Sequence, residues 1–118
     1  MNVRQQLAAD LQAAFPKLRV IATERKLAEV KTPTLLIRAR SIDLTAGAPL
    51  SHRDVGLLLT LISPHLDLDR AADQLDVLAP QLLDWLDPKY LHEAAQLVGY
   101  DARLAYDIPT TIIASKEA

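Results

Sequence analysis

Three observations predict an α+β fold with a mostly antiparallel sheet of about four to five strands and two main helices packed on one face. Two segments repeat apolar residues at helical spacing, several shorter runs are β-branched or alternate with the period of a strand, and prolines and glycines punctuate the joints. The chain has 118 residues, enough for one core and too few for a second domain, so residues 1–118 are expected to form a single unit.

Val3, Leu7, Leu11 and Phe15 recur at helical spacing among alanines, and Pro16 stops this first helix. Leu18 to Thr23 is a short β-branched run that reads as the first strand. The stretch from Glu24 to Pro33 is charged and lacks a strand period, which predicts a loop. Pro33 then opens the second strand, Thr34 to Leu44, with Leu35, Ile37 and Ala39 on one face and Leu36, Arg38, Arg40 and Ile42 on the other. Thr45 to Arg53 gathers Gly47, Pro49 and Ser51 into a hairpin longer than usual.

The third strand, Val55 to Ser63, is the least orthodox segment. Its alternation places Val55, Leu57, Leu59 and Leu61 on one face and Gly56, Leu58, Thr60 and Ile62 on the other, so both faces are apolar. In a sheet covered by helices on one side, a strand should alternate apolar with polar. Either a loop or helix of the same chain covers the second face, or a neighbouring subunit covers Leu58 and Ile62. Each such burial contributes roughly 1.5–3 kcal/mol.

Asp67 or Asp69 caps the next helix, in which Leu68, Ala72, Leu75, Ala79, Leu82 and Leu86 form the best helical stripe in the chain. Pro80 interrupts it, giving either one bent helix or two short ones, and Asp87-Pro88 closes it. The remainder reads as two extended runs around Gly99 to Asp101, with Pro109 implying an edge or a bulge in the last.

Composition narrows function chiefly by exclusion. Thirteen Lys and Arg against fifteen Asp and Glu give a net charge of −2, with no concentrated basic footprint for nucleic acid. The absence of cysteine removes disulfides and thiolate metal sites. No run resembles a signal peptide or a membrane span, so the expectation is no membrane association and assembly in the cytoplasm.

His65, Asp67 and Asp69 alternate like metal ligands but lack the glycine and terminal glutamate of a calcium loop, and helix capping explains the aspartates. His52 and His92 have no Ser or Cys in a nucleophile setting. Glu24, Arg25, Lys26, Glu29 and Lys31 read as a solvated charged loop, and Trp85 as a packing anchor. The sequence thus predicts no catalytic residue, no metal, no cofactor and no enzyme.

Taken together, the alanine-rich first helix, "KTPTLLIR", the hairpin into "RDVGLLLTLISP", "DLDRAADQLDVLAPQLLDWLD" and the closing "YDARLAYDIPTTIIA" resemble the tail terminator family of long-tailed bacteriophages, in the form found among phages of actinobacteria. The chain departs from that pattern in having "VIATERKL" where aromatics are usual and in carrying Pro80 within the long helix. The resemblance implies a virion protein of the tail and neck, a homo-oligomer closing into a hexameric ring. Such a ring caps the head-proximal end of the tail tube, stops polymerisation and joins the head-tail connector protein. Its partners would be copies of itself, the tail tube protein and the connector, with double-stranded DNA passing through the bore without specific binding.

On that basis the candidate interface residues are Pro49, Leu50 and His52 of the hairpin with Leu58 and Ile62 of the third strand. Aspartate at Leu58 and Ile62 is then expected to block ring formation while leaving the fold intact. The alternatives are a related head completion or connector protein, a dimeric α+β ligand-binding or regulatory module, and a small enzyme.

Overall fold

Asn2 starts the chain's first helix by accepting a hydrogen bond from the Gln5 amide at 2.8 Å, while the Gln5 side chain accepts from the Asn2 amide at 3.3 Å. This reciprocal box satisfies two amides that a helix start leaves without partners. The computed structural model describes residues 2–44 and 52–115. In chain order it has α1 (Val3–Ala14), β1 (Arg19–Ala22), β2 (Thr34–Leu44), β3 (His52–Ile62), α2 (Leu68–Leu86), β4 (Leu91–His92), β5 (Gln96–Tyr100) and β6 (Arg103–Ser115).

The fold is α+β. Its six-stranded sheet runs β1-β2-β3-β6-β4, with β5 also paired to β6. Only β1 and β2 pair in parallel among the described strands; the other pairings are antiparallel. The strand beyond the expected range is β4, whose two residues are too short for any period to mark. β4 and β5 lie one after the other along the same flank of β6.

Pro109 sits at the break between them, paired with Leu58 on its inner side, and its carbonyl accepts from the Glu93 amide at 2.9 Å. A residue's N–H and C=O point to the same side of a strand, so the missing donor of Pro109 falls in the gap between β5 and β4. The expected edge or bulge is therefore replaced by an interruption of the neighbouring strand.

Both helices pack on one face. Leu7 and Leu11 of α1 and Leu75, Ala79, Leu82 and Leu86 of α2 close over Leu35, Ile37, Leu57, Leu59, Leu61 and Ile108 of the sheet. The Gln12 side chain binds α1 to β1, donating to the Leu18 carbonyl at 2.7 Å and accepting from the Val20 amide at 3.1 Å. It thereby satisfies edge groups that would otherwise need a further strand.

Asp67 is the N-cap of α2, accepting from the amides of Asp69 and Arg70. Pro80 lies within one continuous helix and on its exposed side, where water can satisfy the carbonyl it leaves unbonded. The buried stripe begins at Ala71, with Leu68 exposed and Ala72 only half-buried, which corrects the first two positions of the expected pattern.

Part of the second face is closed by the chain itself. Parallel pairing of β1 with β2 requires a crossover, and the irregular segment 23–33 supplies it on the side away from the helices. Leu27 and Val30 of that segment join Leu36, Ile62 and Ala105 in a smaller buried cluster. Tyr100 holds the segment down, its hydroxyl accepting from the Leu27 amide at 2.9 Å, and Lys26 pairs with Asp101 beside it.

Candidate subunit interface

The five expected interface positions fare differently. Pro49 and Leu50 lie outside the described residues, and His52 is the first residue of β3. Leu58 is half-buried, in register between Arg38 of β2 and Pro109 of β6. Ile62 is fully buried, with a relative exposure of 0%, in the cluster made with Leu27 and Val30. It presents no surface to a neighbour. Aspartate there would bury an unpaired carboxylate, so the expectation that the Leu58 and Ile62 double variant keeps its fold is withdrawn.

Between these apolar positions the second face is polar. Arg38 Nη2 donates to Thr60 Oγ1 at 3.0 Å, and Thr60 donates to Asp107 Oδ1 at 2.7 Å. Thr60 is buried, and this chain of bonds gives its hydroxyl both a donor and an acceptor. The apolar second face of β3 is thus interrupted midway by a side chain whose neighbours on both flanking strands complete its hydrogen bonding.

The uncovered apolar surface lies further along the same strands. β2 carries a register shift between Ala39 and Ser41, so Arg40 is an extra residue against β3. One extra residue reverses the sides of everything beyond it. Ile42 is therefore paired with Val55 on the helix side of the sheet, opposite to the side its spacing predicts. Gly56 stands at the shift, where an added Cβ would lie 2.5 Å from Ser41 Oγ. That glycine was the available signal of the bulge.

Beyond this point β2, β3 and β6 continue together as a three-stranded arm. Ile42, Val55 and Ile112 share its helix-side face, with Ile42 70% exposed. Ile113 is on the reverse face and 53% exposed. The molecule measures 48 × 24 × 24 Å. At the root of the arm, a concavity of about 620 Å³ runs between the start of α1 and the sheet, lined among others by Val3, Arg4, Arg40, Ile42 and Val55.

Arg4 is fixed there by Glu24, whose carboxylate also accepts from the Ala39 amide at 3.0 Å. Glu24 thus continues the pairing of β2 where β1 ends, and it belongs to the structure of the arm's root. Glu29 pairs with Lys31 at 3.3 Å, and Lys26 with Asp101, whose hydrogen bond and charge raise the lysine's pKa.

Two other surfaces have apolar character. A cleft of about 630 Å³ separates the end of α1 from α2, with Phe15, Leu18, Pro33, Val77 and Leu78 on its walls. Along the outer flank of β6, Leu91 and Leu97 are exposed. Trp85 meets Phe15 edge-on at 6.4 Å and lies 6.1 Å from Tyr90, with Lys89 over its ring at 4.7 Å. This is the packing role expected of it. Burial and the nearby charge of Asp10 raise the Tyr90 pKa.

Among the described residues no group of three or more His, Asp or Glu side chains is placed to hold a metal ion. No described helix is long and apolar enough to cross a membrane. Neither known protein-family models nor curated proteins match the chain.

Proposed function

We propose that this chain is a ring-forming structural subunit that caps the head-proximal end of a bacteriophage tail tube, stops its polymerisation and joins it to the head connector. The observation that carries the proposal is the three-stranded arm with uncovered isoleucines on both faces. A ring interface is heterologous, so each subunit needs two different complementary surfaces. An arm that leaves the body of one subunit suits one of them, and the concavity at its root or the flank of β6 suits the other. Apolar side chains exposed on a projecting element gain from assembly, since each burial contributes roughly 1.5–3 kcal/mol.

This assigns the interface to Ile42 and Ile113, flanked by Val55 and Ile112 where they leave the main core, together with the hairpin candidates Pro49, Leu50 and His52, and removes Ile62. The mechanism is steric: one ring surface binds the tube end, and the opposite surface offers the tube subunit no further docking place. A net charge of −2 is compatible with a bore that lets duplex DNA pass without holding its phosphates.

Purified protein viewed by electron microscopy, alone and mixed with tail tube subunit, tests the proposal. Closed rings and tubes of limited length are expected. Tubes that grow to the same lengths with and without the protein would remove the termination role, and binding to isolated connectors alone would favour a head completion protein.

A further inference from the structure

His92 occupies β4, the shortest strand of the sheet, and its ring meets two acceptors at once. Nε2 lies 2.5 Å from Asp87 Oδ1, and Nδ1 lies 2.9 Å from the Glu93 carbonyl oxygen. A neutral imidazole carries one N–H and one lone pair, so it donates to one of these oxygens and opposes its lone pair to the other. The imidazolium donates to both. The His92 side chain is only 16% exposed, so the ring itself has little contact with water, while the Asp87 carboxylate, 61% exposed, stays within reach of it.

The two acceptors belong to different parts of the fold. Asp87 is the C-cap of α2, whereas Glu93 follows β4. The ring therefore fastens the end of the helix to the segment that lies against β6. Among the described residues, the other attachments of that segment are the pairs Leu91–Thr111 and His92–Thr110, the Glu93 amide on the Pro109 carbonyl, an exposed Arg40–Glu93 ion pair at 3.5 Å, and Ala95 at its far end, which packs against the main core.

We infer that His92 is a proton-operated clasp: its imidazolium holds β4 between α2 and β6, and loss of the proton loosens segment 91–95 and uncovers Thr110 and Thr111 on the outer flank of β6. The charged groups around the ring agree with this. From α2 the ring meets Asp87; beyond the cap, Lys89 is engaged over Trp85; Glu93 offers its carbonyl while its carboxylate turns to Arg40 of β2; and Asp10 of α1 acts on Tyr90. The partner of His92 on β6, Thr110, does not titrate.

The Glu93 carbonyl and then Asp87 raise the folded-state pKa above the ordinary histidine value of 6.5, against partial desolvation. A raised folded pKa means that the clasp's contribution is fully present below the unfolded value and is lost as pH rises through the folded one. The clasp stands independently of any assembly.

The test is an NMR titration of the His92 ring, one of three histidines, with exchange of the Glu93 amide followed between about pH 5 and about pH 9. The expected result is a His92 midpoint above that of an ordinary histidine, and a several-fold fall in Glu93 protection, corrected for intrinsic exchange, through the same midpoint. Asp87→Asn should lower the midpoint, and His92→Gln should flatten the pH dependence of protection. A midpoint at or below the ordinary value would overturn the clasp. So would wild-type protection that does not change with pH, or an Asp87→Asn variant with an unmoved midpoint. The wild-type titration decides the matter even if a variant fails to fold.

Discussion

The two faces of the sheet solve the same problem with different materials. On one, two helices bring Leu7, Leu11, Leu75, Ala79, Leu82 and Leu86 over six apolar strand residues, and the buried layer is continuous. On the other, a segment without regular structure brings Leu27 and Val30 over Leu36, Ile62 and Ala105, and the Arg38–Thr60–Asp107 chain lies beside that cluster. A loop offers few apolar side chains and must keep its own backbone bonded, so it closes only a patch. The difference shows that an apolar residue on the outer side of a strand need not await another subunit. A crossover forced by parallel pairing was enough for Ile62.

The most severe test of this comparison is charge placed beneath the loop. Ile62→Asp is expected to cost more than about 4 kcal/mol and leave little folded protein in circular dichroism, because the carboxylate has no partner there. A well-folded Ile62→Asp variant would mean that the loop does not seal that face. Under the helices, Leu59→Ala should cost about 3–5 kcal/mol by urea denaturation, since two helices and a sheet cannot easily collapse into the space it leaves.

Smaller effects sharpen the contrast. Thr60→Val removes the hydroxyl that joins Arg38 to Asp107 and should cost about 1–2 kcal/mol in the same assay. Tyr100→Phe deprives the Leu27 amide of its acceptor, for about 1 kcal/mol, and should speed exchange of that amide while leaving amides under the helices unchanged. The smallest change in stability, within about 0.5 kcal/mol, is expected for Ile42→Asp on the arm. That variant should nevertheless abolish the proposed rings in electron micrographs, and rings formed normally by it would move the proposed interface away from the arm.

The bounds of β2, the stretch that becomes α2 and an aspartate cap at Asp67 or Asp69 were legible because they depend on local signals: a proline before a strand, a helical stripe, an aspartate ahead of it. That Pro80 leaves one helix and that Asp67 is the cap came from the structure. Other features were not. The side of Ile42 depended on a bulge at Arg40, whose traces in the sequence, the apolar phase changing between Ile37 and Ile42 and Gly56 across from Ser41, are too short a pattern to fix where the extra residue falls. The role of His92 depended on Asp87 and Glu93 being brought to opposite nitrogens of one ring, although the helix end beside it was visible. The proposed interface shifted for the same reason: apolar character was legible at both Ile62 and Ile42, and coverage was not.

By itself, the sequence determined an α+β chain with two helices, its principal strands and a third strand apolar on both sides, because period, propensity and caps act over a few neighbouring residues. Only the tertiary structure decided which face of that strand is sealed by what, where the arm turns its isoleucines, and how His92 is held. Those outcomes depend on residues far apart in the chain meeting at particular distances, and a local pattern carries no record of them.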